Sequence, residues 1–317
     1  FLALFYLAVL ITGTNASTYL LLLGGLLGIG YGFYWLAYNV LTFEITEPET
    51  RDFFNGFLGI LSSAGGMIGP IAAGIIITKF EEFTGYSFVF GLSLALFGLA
   101  VFMSFSLKPR PASGRYCFKR IIEERKQNEN WRFVTNAHFV QGLREGTFAF
   151  VISVFVYIST GSEMSLGTFG LINSGISFVA YYFASRLIKK KFRKKAILIG
   201  GIILYASVML IIWDLNFVKL LLYGGMIAIA YPLLLVPYSS TTYDVIGSGW
   251  KAAEMRIEYI VVREIYLNLG RIISILAFLA AVTWFNEEQS IPILLFFLGA
   301  GHLLIYLFMR KVQIPAA

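Results

Sequence analysis

The chain has 317 residues, of which 58% are hydrophobic and 14% charged; its mean hydropathy is +0.75, and it carries 30 Phe and 18 Tyr. That usage excludes an ordinary soluble domain and indicates an all-helical, polytopic membrane protein whose surroundings are the lipid bilayer. The formal net charge of +7 sits in a few short gaps between apolar runs, where its role is topological, so no nucleic-acid partner is expected.

Spanning ~30 Å of hydrocarbon takes about 20 apolar residues in a helix. Ten such runs are predicted, at residues 1–12, 19–43, 56–78, 86–107, 137–160, 166–187, 196–213, 217–243, 259–285 and 291–309. The first is short and the chain opens inside it at Phe1, which reads as a fragment lacking its N-terminus. Four runs precede, and six follow, one long polar stretch at residues 108–136, which opens with Pro109 and Pro111 and holds eight Lys or Arg. It reads as a cytoplasmic linker between an N-terminal membrane half, residues 1–107, and a C-terminal half, residues 137–317. Within it Phe118, Ile121 and Ile122 share one face of a short helix suited to the membrane surface.

Counting Lys and Arg in alternate gaps sets the orientation. With the linker inside, so are the gap at 188–195 (I-K-K-K-F-R-K-K), the loop at 244–258, and the tail with Arg310 and Lys311. The opposite gaps hold only Lys79. The loop at 44–55 falls on the inside with Arg51 as its one basic residue. The linker and the C-terminus are therefore expected in the cytoplasm, with the protein in the cell membrane.

An internal repeat comes next. Residues 19–45 align without gaps with residues 219–245, so that Gly24, Gly25, Tyr31, Tyr38 and Thr42 recur as Gly224, Gly225, Tyr231, Tyr238 and Thr242, and Glu44 recurs as Asp244. Both copies have the same parity, so the repeat is parallel. Six helices in the second half and four in the first imply a parent of twelve transmembrane helices in two six-helix halves, ten of them present here.

These features resemble the major facilitator superfamily of secondary transporters. The stretch Gly65-Gly66-Met67-Ile68-Gly69-Pro70-Ile71-Ala72-Ala73-Gly74 is similar to that family's G-x-x-x-G-P-x-x-G-G antiporter motif, with Ala73 in place of one Gly. Residues 185–194 (S-R-L-I-K-K-K-F-R-K) look like a degenerate copy of its G-x-x-x-D-R-x-G-R-K loop, with Ser185 for the first Gly and Lys189 for the Asp. The resemblance implies the family fold, a monomer, alternating access, and antiport rather than uniport. Gly65, Gly69, Pro70 and Gly74 would form the conformational-switch motif, since missing side chains and a proline let a neighbouring helix approach and bend.

Ionisable residues within spans are costly, about 2.5–3.5 kcal/mol each on insertion scales. Arg144 and Glu145 lie in the run after the linker, and Arg263, Glu264, Asn268 and Arg271 in the run at 259–285, where Glu264, Asn268 and Arg271 form one polar stripe. Adjacent Arg and Glu point ~100° apart and are not expected to pair with each other. One reading pairs Glu145 with Arg263 or Arg271, and Glu264 with Arg144, as permanent architecture. The other makes a glutamate exchange a proton while an arginine holds it ionised or grips an anionic group of the substrate.

Tyr31, Tyr34, Trp35, Tyr38 and Asn39 share much of one helix face, and Tyr231 and Tyr238 repeat it in the second half, as candidate walls of a substrate cavity. Ser174, Ser177 and Tyr181 make a weaker stripe. One Cys117 and two separated histidines, His138 and His302, permit no disulfide or metal cluster, and no cofactor or metal is expected. The expected partners are a small organic solute and protons, moved by antiport. Symport or uniport on the same fold, an integral membrane enzyme acting on lipid-linked substrates, and a transport-inactive sensor are the alternatives. No nucleophile with a paired base, histidine box or phosphate-cradling loop favours the enzyme.

Overall fold

The structure, a computed structural model, describes residues 1–80, 82–107, 116–212 and 216–313. The start of the predicted linker, residues 108–115, lies outside the described residues. No strand occurs among the described residues. The helices are α1 (Leu2–Thr12), α2 (Leu20–Ile45), α3 (Arg51–Lys79), α4 (Glu82–Ser104), α5 (Phe118–Glu124), α6 (Glu129–Thr160), α7 (Glu163–Leu187), α8 (Arg193–Ile212), α9 (Phe217–Gly247), α10 (Arg256–Trp284), α11 (Glu287–Gly299) and α12 (Gly301–Met309).

Eight helical segments among the described residues are long and apolar enough to cross a bilayer. The run at 1–12 gives only the short α1, and α7, with Ser165, Thr168, Asn173, Ser174 and Ser177, is too polar to count among the eight. The last predicted span divides at Ala300, whose N–H donates to Phe297 O, so the chain tightens by one 3₁₀ turn between α11 and α12. Proline is tolerated inside α3 at Pro70 and inside α9 at Pro232 and Pro237, because neighbouring helices and hydroxyls can satisfy the freed backbone groups.

Helix α6 begins within the predicted linker, eight residues before the expected span. Asn128 caps it, its side chain accepting the Trp131 N–H at 3.0 Å, and Gly161 closes it in the left-handed conformation that a side chain would strain. The short helix predicted on Phe118, Ile121 and Ile122 forms as α5, but it docks on protein rather than standing free. Ile121 is fully buried, its carbonyl accepts the Trp131 indole N–H at 3.1 Å, and the Trp131 ring packs edge-on against Tyr259 at 4.9 Å.

The chain forms two compact units. One takes Phe1–Thr42 with the segment that starts at Ile71; the other takes Phe43–Pro70 with Tyr116–Ala317. In the first, Tyr6 of α1 packs between the rings of Phe90 and Phe97 of α4, and Leu2 fills the space opposite Gly30 of α2. Little of this unit is buried, and its outward Leu, Ile and Phe are the surface a bilayer would cover. The second unit holds a core of Phe148, Val151 and Val156 from α6, Val208 and Ile211 from α8, Leu220 and Tyr223 from α9, and Leu295 from α11.

Candidate functional site

Helices α6 and α10 touch backbone to backbone. A Cβ on Gly142 would lie 2.0 Å from Leu267 O, one on Gly270 2.1 Å from Phe139 O, and one on Gly146 2.5 Å from Arg271 O. Only glycine fits at all three, the small-residue mode of packing helices in a membrane. Thr147 and Ser274 fasten the same seam, with Thr147 N–H donating to Ser274 Oγ at 3.1 Å.

That seam sets Glu145 opposite Arg271. Arg271 Nη2 donates to Glu145 Oε2 at 2.7 Å, while Glu145 Oε1 accepts from Gln141 Nε2 at 2.8 Å and from the Tyr231 hydroxyl at 3.3 Å. Gln141 Oε1 in turn meets His138 Nδ1 at 3.0 Å, and His138 Nε2 lies 3.4 Å from Thr242 Oγ1. On the far side, Arg271 Nη1 donates to Asn268 Oδ1 at 3.3 Å. Four residues on α6 and α9, with Arg271 and Asn268 on α10, are thus strung onto one carboxylate within the spans. Of the two carboxylate partners open to Glu145 in the sequence, the structure selects Arg271. His138 stands out in the sequence only as a polar residue two turns before Glu145 on the same helix face.

Arg263 pairs with its neighbour Glu264, contrary to the expectation for adjacent residues. The two Cβ atoms do diverge, but an arginine side chain is long enough to fold back along the helix surface. Arg144 is therefore left without a carboxylate among the described residues. It is 5% exposed, Nε and Nη2 have no hydrogen-bond partner, and its guanidinium rests on the Phe148 ring at 4.6 Å. A cation–π contact contributes about 2 kcal/mol when desolvated, whereas a buried unpaired ion costs several.

A second cluster joins residues of three gaps that the Lys and Arg count assigns to the same side. Asp244, at the end of α9, receives Arg51 on Oδ1 at 2.5 Å and Arg193 on Oδ2 at 2.7 Å. Arg193, the first residue of α8, also grips Asp52 of α3 with Nη2 at 2.8 Å and Nε at 3.0 and 3.1 Å. Thr46 accepts from Arg51 Nε, Asn55 donates to Ser240 Oγ at 3.0 Å, and Arg256 pairs with Glu44. At the exposed edge Lys190 reaches Glu49 at 3.1 Å, and this hydrogen bond holds the Glu49 carboxyl below its ordinary range. None of these residues is marked by burial of charge in the sequence, because they read as loop. The one available signal is the recurrence of Glu44 as Asp244.

The switch motif is arranged differently from its prediction. Cβ atoms on Gly65, Gly69 and Gly74 would meet nothing within 4 Å, while Pro70 faces Gly167 and Gly170 of α7. The close approach of α3 to α7 uses Gly56 against Ser185, Gly59 against Tyr181 and Gly66 against Ser174, each within 2.6 Å of a built Cβ. The aromatic faces also divide. The rings of Tyr34, Trp35 and Tyr38 pack along α2 at 5.3–6.3 Å, Trp35 edge-on to both tyrosines, with Tyr31, Tyr34 and Trp35 exposed and Asn39 buried against Trp35 O. On α9, Tyr231 reaches Glu145, whereas Tyr238 is fully buried beside the His138 ring at 4.8 Å. Among the described residues no group of His, Cys, Asp and Glu could hold a metal ion.

Residues 1–274 match the family model described as Major Facilitator Superfamily. The chain is 62% identical over 313 residues to the uncharacterized protein YqgE of Bacillus subtilis (strain 168), covering 99% of this chain and 73% of that one. It is also 68% identical over 89 residues, 28% of this chain and 42% of the relative, to an uncharacterized protein in the sodM 3' region of Geobacillus stearothermophilus. In fold it is similar to the crystal structure of the E. coli fucose:proton symporter, with a TM-score of 0.61 at 16% identity over 98% of this chain and 81% of the other. On the family match and the shared all-helical fold, the chain belongs to the major facilitator superfamily.

Proposed function

We propose that the protein moves a small organic solute across the cell membrane by alternating access, with proton exchange at Glu145 as the coupling step and antiport as the direction. Its family and its multi-pass helical fold support a membrane transporter over an enzyme. The observation that carries the coupling reading is a carboxylate within the spans, bound to a partly exposed arginine and to two neutral donors, Gln141 and Tyr231. Such a carboxylate can be neutralised without leaving a fully buried cation behind, which suits a group that must cycle. Arg263 and Glu264, paired on the next face of α10, support the site as architecture or as a second proton station. Within α2 we assign Tyr31, Tyr34, Trp35, Tyr38 and Asn39 to solute contact, and separately, within α9, Tyr231; the cluster around Asp244 is the lock that holds one state closed on the cytoplasmic side.

The test is solute-driven proton movement in proteoliposomes, run against a panel of amphipathic compounds. Glu145→Gln is expected to abolish proton movement while solute exchange without net protonation continues; Glu264→Gln serves as the paired control. Proton flux persisting in both variants refutes coupling at these glutamates. Proton symport is the second reading, since the fold neighbour from E. coli is a fucose:proton symporter. Acidifying the solute-containing side drives uptake in a symporter and opposes it in an antiporter.

A further inference from the structure

Of the five ionisable residues predicted within the spans of α6 and α10, Glu145 takes Arg271 and Glu264 takes Arg263. One positive charge, Arg144, is left over. Beside it, Gly301 brings the start of α12 so close that a Cβ there would lie 3.0 Å from Arg144 Cβ. The next residue, His302, is fully buried and has no hydrogen-bond partner on either ring nitrogen among the described residues. Tyr223, also buried, adjoins the same guanidinium from α9, and the Tyr231 ring lies 5.7 Å from the His302 ring. The neighbourhood therefore combines a net positive charge, two guanidinium nitrogens whose hydrogens have no acceptor among the described residues, and an imidazole whose N–H is also unused there.

The Phe148 face contributes less than burial of the guanidinium costs, and unused donors beside an unpaired cation call for a negatively charged acceptor. We propose that Arg144, His302 and Tyr223 form a binding site for a compact monoanion inside the C-terminal bundle. The shared chemistry is one negative charge with oxygen or halide acceptors. Two sources can supply it: an inorganic ion such as chloride, or the carboxylate of an organic solute, in which case the cargo is anionic. The site is separate from the Glu145–Arg271 pair and does not depend on proton coupling.

The experiment follows thermal unfolding of the purified full chain in detergent by tryptophan fluorescence. Sodium chloride, acetate and benzoate are titrated at constant ionic strength, balanced with the sodium salt of a bulky sulfonate, and benzamide is the neutral counterpart. A saturable rise in midpoint is expected with at least one anion and none with benzamide. Arg144→Gln is expected to lose the rise, and Arg144→Lys, which keeps the charge without the planar donors, to weaken apparent affinity about tenfold. Saturation by chloride identifies an inorganic ion; saturation by benzoate or acetate alone identifies a carboxylate.

The proposal is overturned if no anion gives a saturable rise in the wild-type chain, or if Arg144→Gln retains it. Should Arg144→Gln not fold, Arg144→Lys decides, and unchanged affinity overturns the site. The readout is binding and not flux. A protein that binds anions through Arg144 but moves no protons refutes only the coupling reading, and the reverse result refutes only the anion site.

Discussion

Two ion-pair clusters lie in the second unit, and their construction differs. Around Asp244, two arginines meet two aspartates; every side chain is 13% exposed or less, and both Asp244 oxygens are occupied. Around Glu145, the carboxylate is 17% and its arginine 37% exposed, and a third charge, Arg144, has no carboxylate partner among the described residues. A closed, balanced cluster is costly to open because each member removed strands a buried charge. An open, unbalanced one can gain or lose a proton or an ion at smaller cost. Position along the helices therefore matters less to function than charge balance and access.

The sharpest way to break this contrast is Asp244→Ala, which leaves Arg193 on Asp52 but takes from Arg51 the carboxylate it pairs with. A loss of about 3–5 kcal/mol is expected, measured by thermal or denaturant unfolding in detergent. Removing charges in pairs should restore most of it: Arg51→Met with Asp244→Leu leaves Arg193 matched to Asp52, and unfolding should return to within about 1–2 kcal/mol of wild type. If single and double variants are equally unstable, charge balance is not what holds the cluster.

Next in size is the seam that positions Glu145. Gly270→Ala places a methyl on a backbone oxygen and is expected to cost about 1–3 kcal/mol or more, with loss of proton coupling as Arg271 shifts. Gly65→Ala, where no atom lies within 4 Å, is expected to be neutral or to stabilise by up to about 1 kcal/mol through helix propensity. A large loss at Gly65 and none at Gly270 would reverse the roles given to the two glycine sets.

The membrane class, the helical runs and the pairing of Glu145 with Arg271 were open to reading because each rests on local rules: hydropathy along a span, and the cost of charge within it. The Asp244 cluster was not. Its members are separated by up to 212 residues and sit at or near helix ends, where charge is ordinary in any sequence. The glycine motif shows a different limit. Composition reveals that α3 offers small residues, but only the helix phase decides that Gly56, Gly59 and Gly66 face α7 while Gly65 and Gly69 do not. Arg144 is legible as a buried charge, yet its lack of a carboxylate among the described residues depends on Arg263 folding back to Glu264.

Smaller effects sharpen the comparison from its exposed side. Glu145→Gln is expected to change stability by no more than about 1 kcal/mol, since Arg271 stays partly solvated, even as it removes proton coupling. Glu49→Gln should leave unfolding unchanged at roughly 0.15 M salt, where a solvent-exposed pair is screened. Because Lys190 holds the Glu49 carboxyl low in the folded chain, any contribution from that pair is present above the unfolded carboxylate range and fades as pH falls through the folded one. A variant that melts earlier than wild type at neutral pH but not in acid would show that the pair matters.

The three glycines between α6 and α10 carry a consequence for timing. With the two backbones in direct contact, a rigid rotation carries Glu145 and Arg271 together, as two marks on one lever, and leaves their separation unchanged. Parting them is then a matter of side-chain rotamers, which turn over in picoseconds to nanoseconds, while rigid-body motions take microseconds to milliseconds. If Glu145 exchanges the proton as proposed, that exchange reaches equilibrium many times within the life of each orientation of the lever. The slow step of the proposed cycle then falls to the bodies that move rather than to the proton.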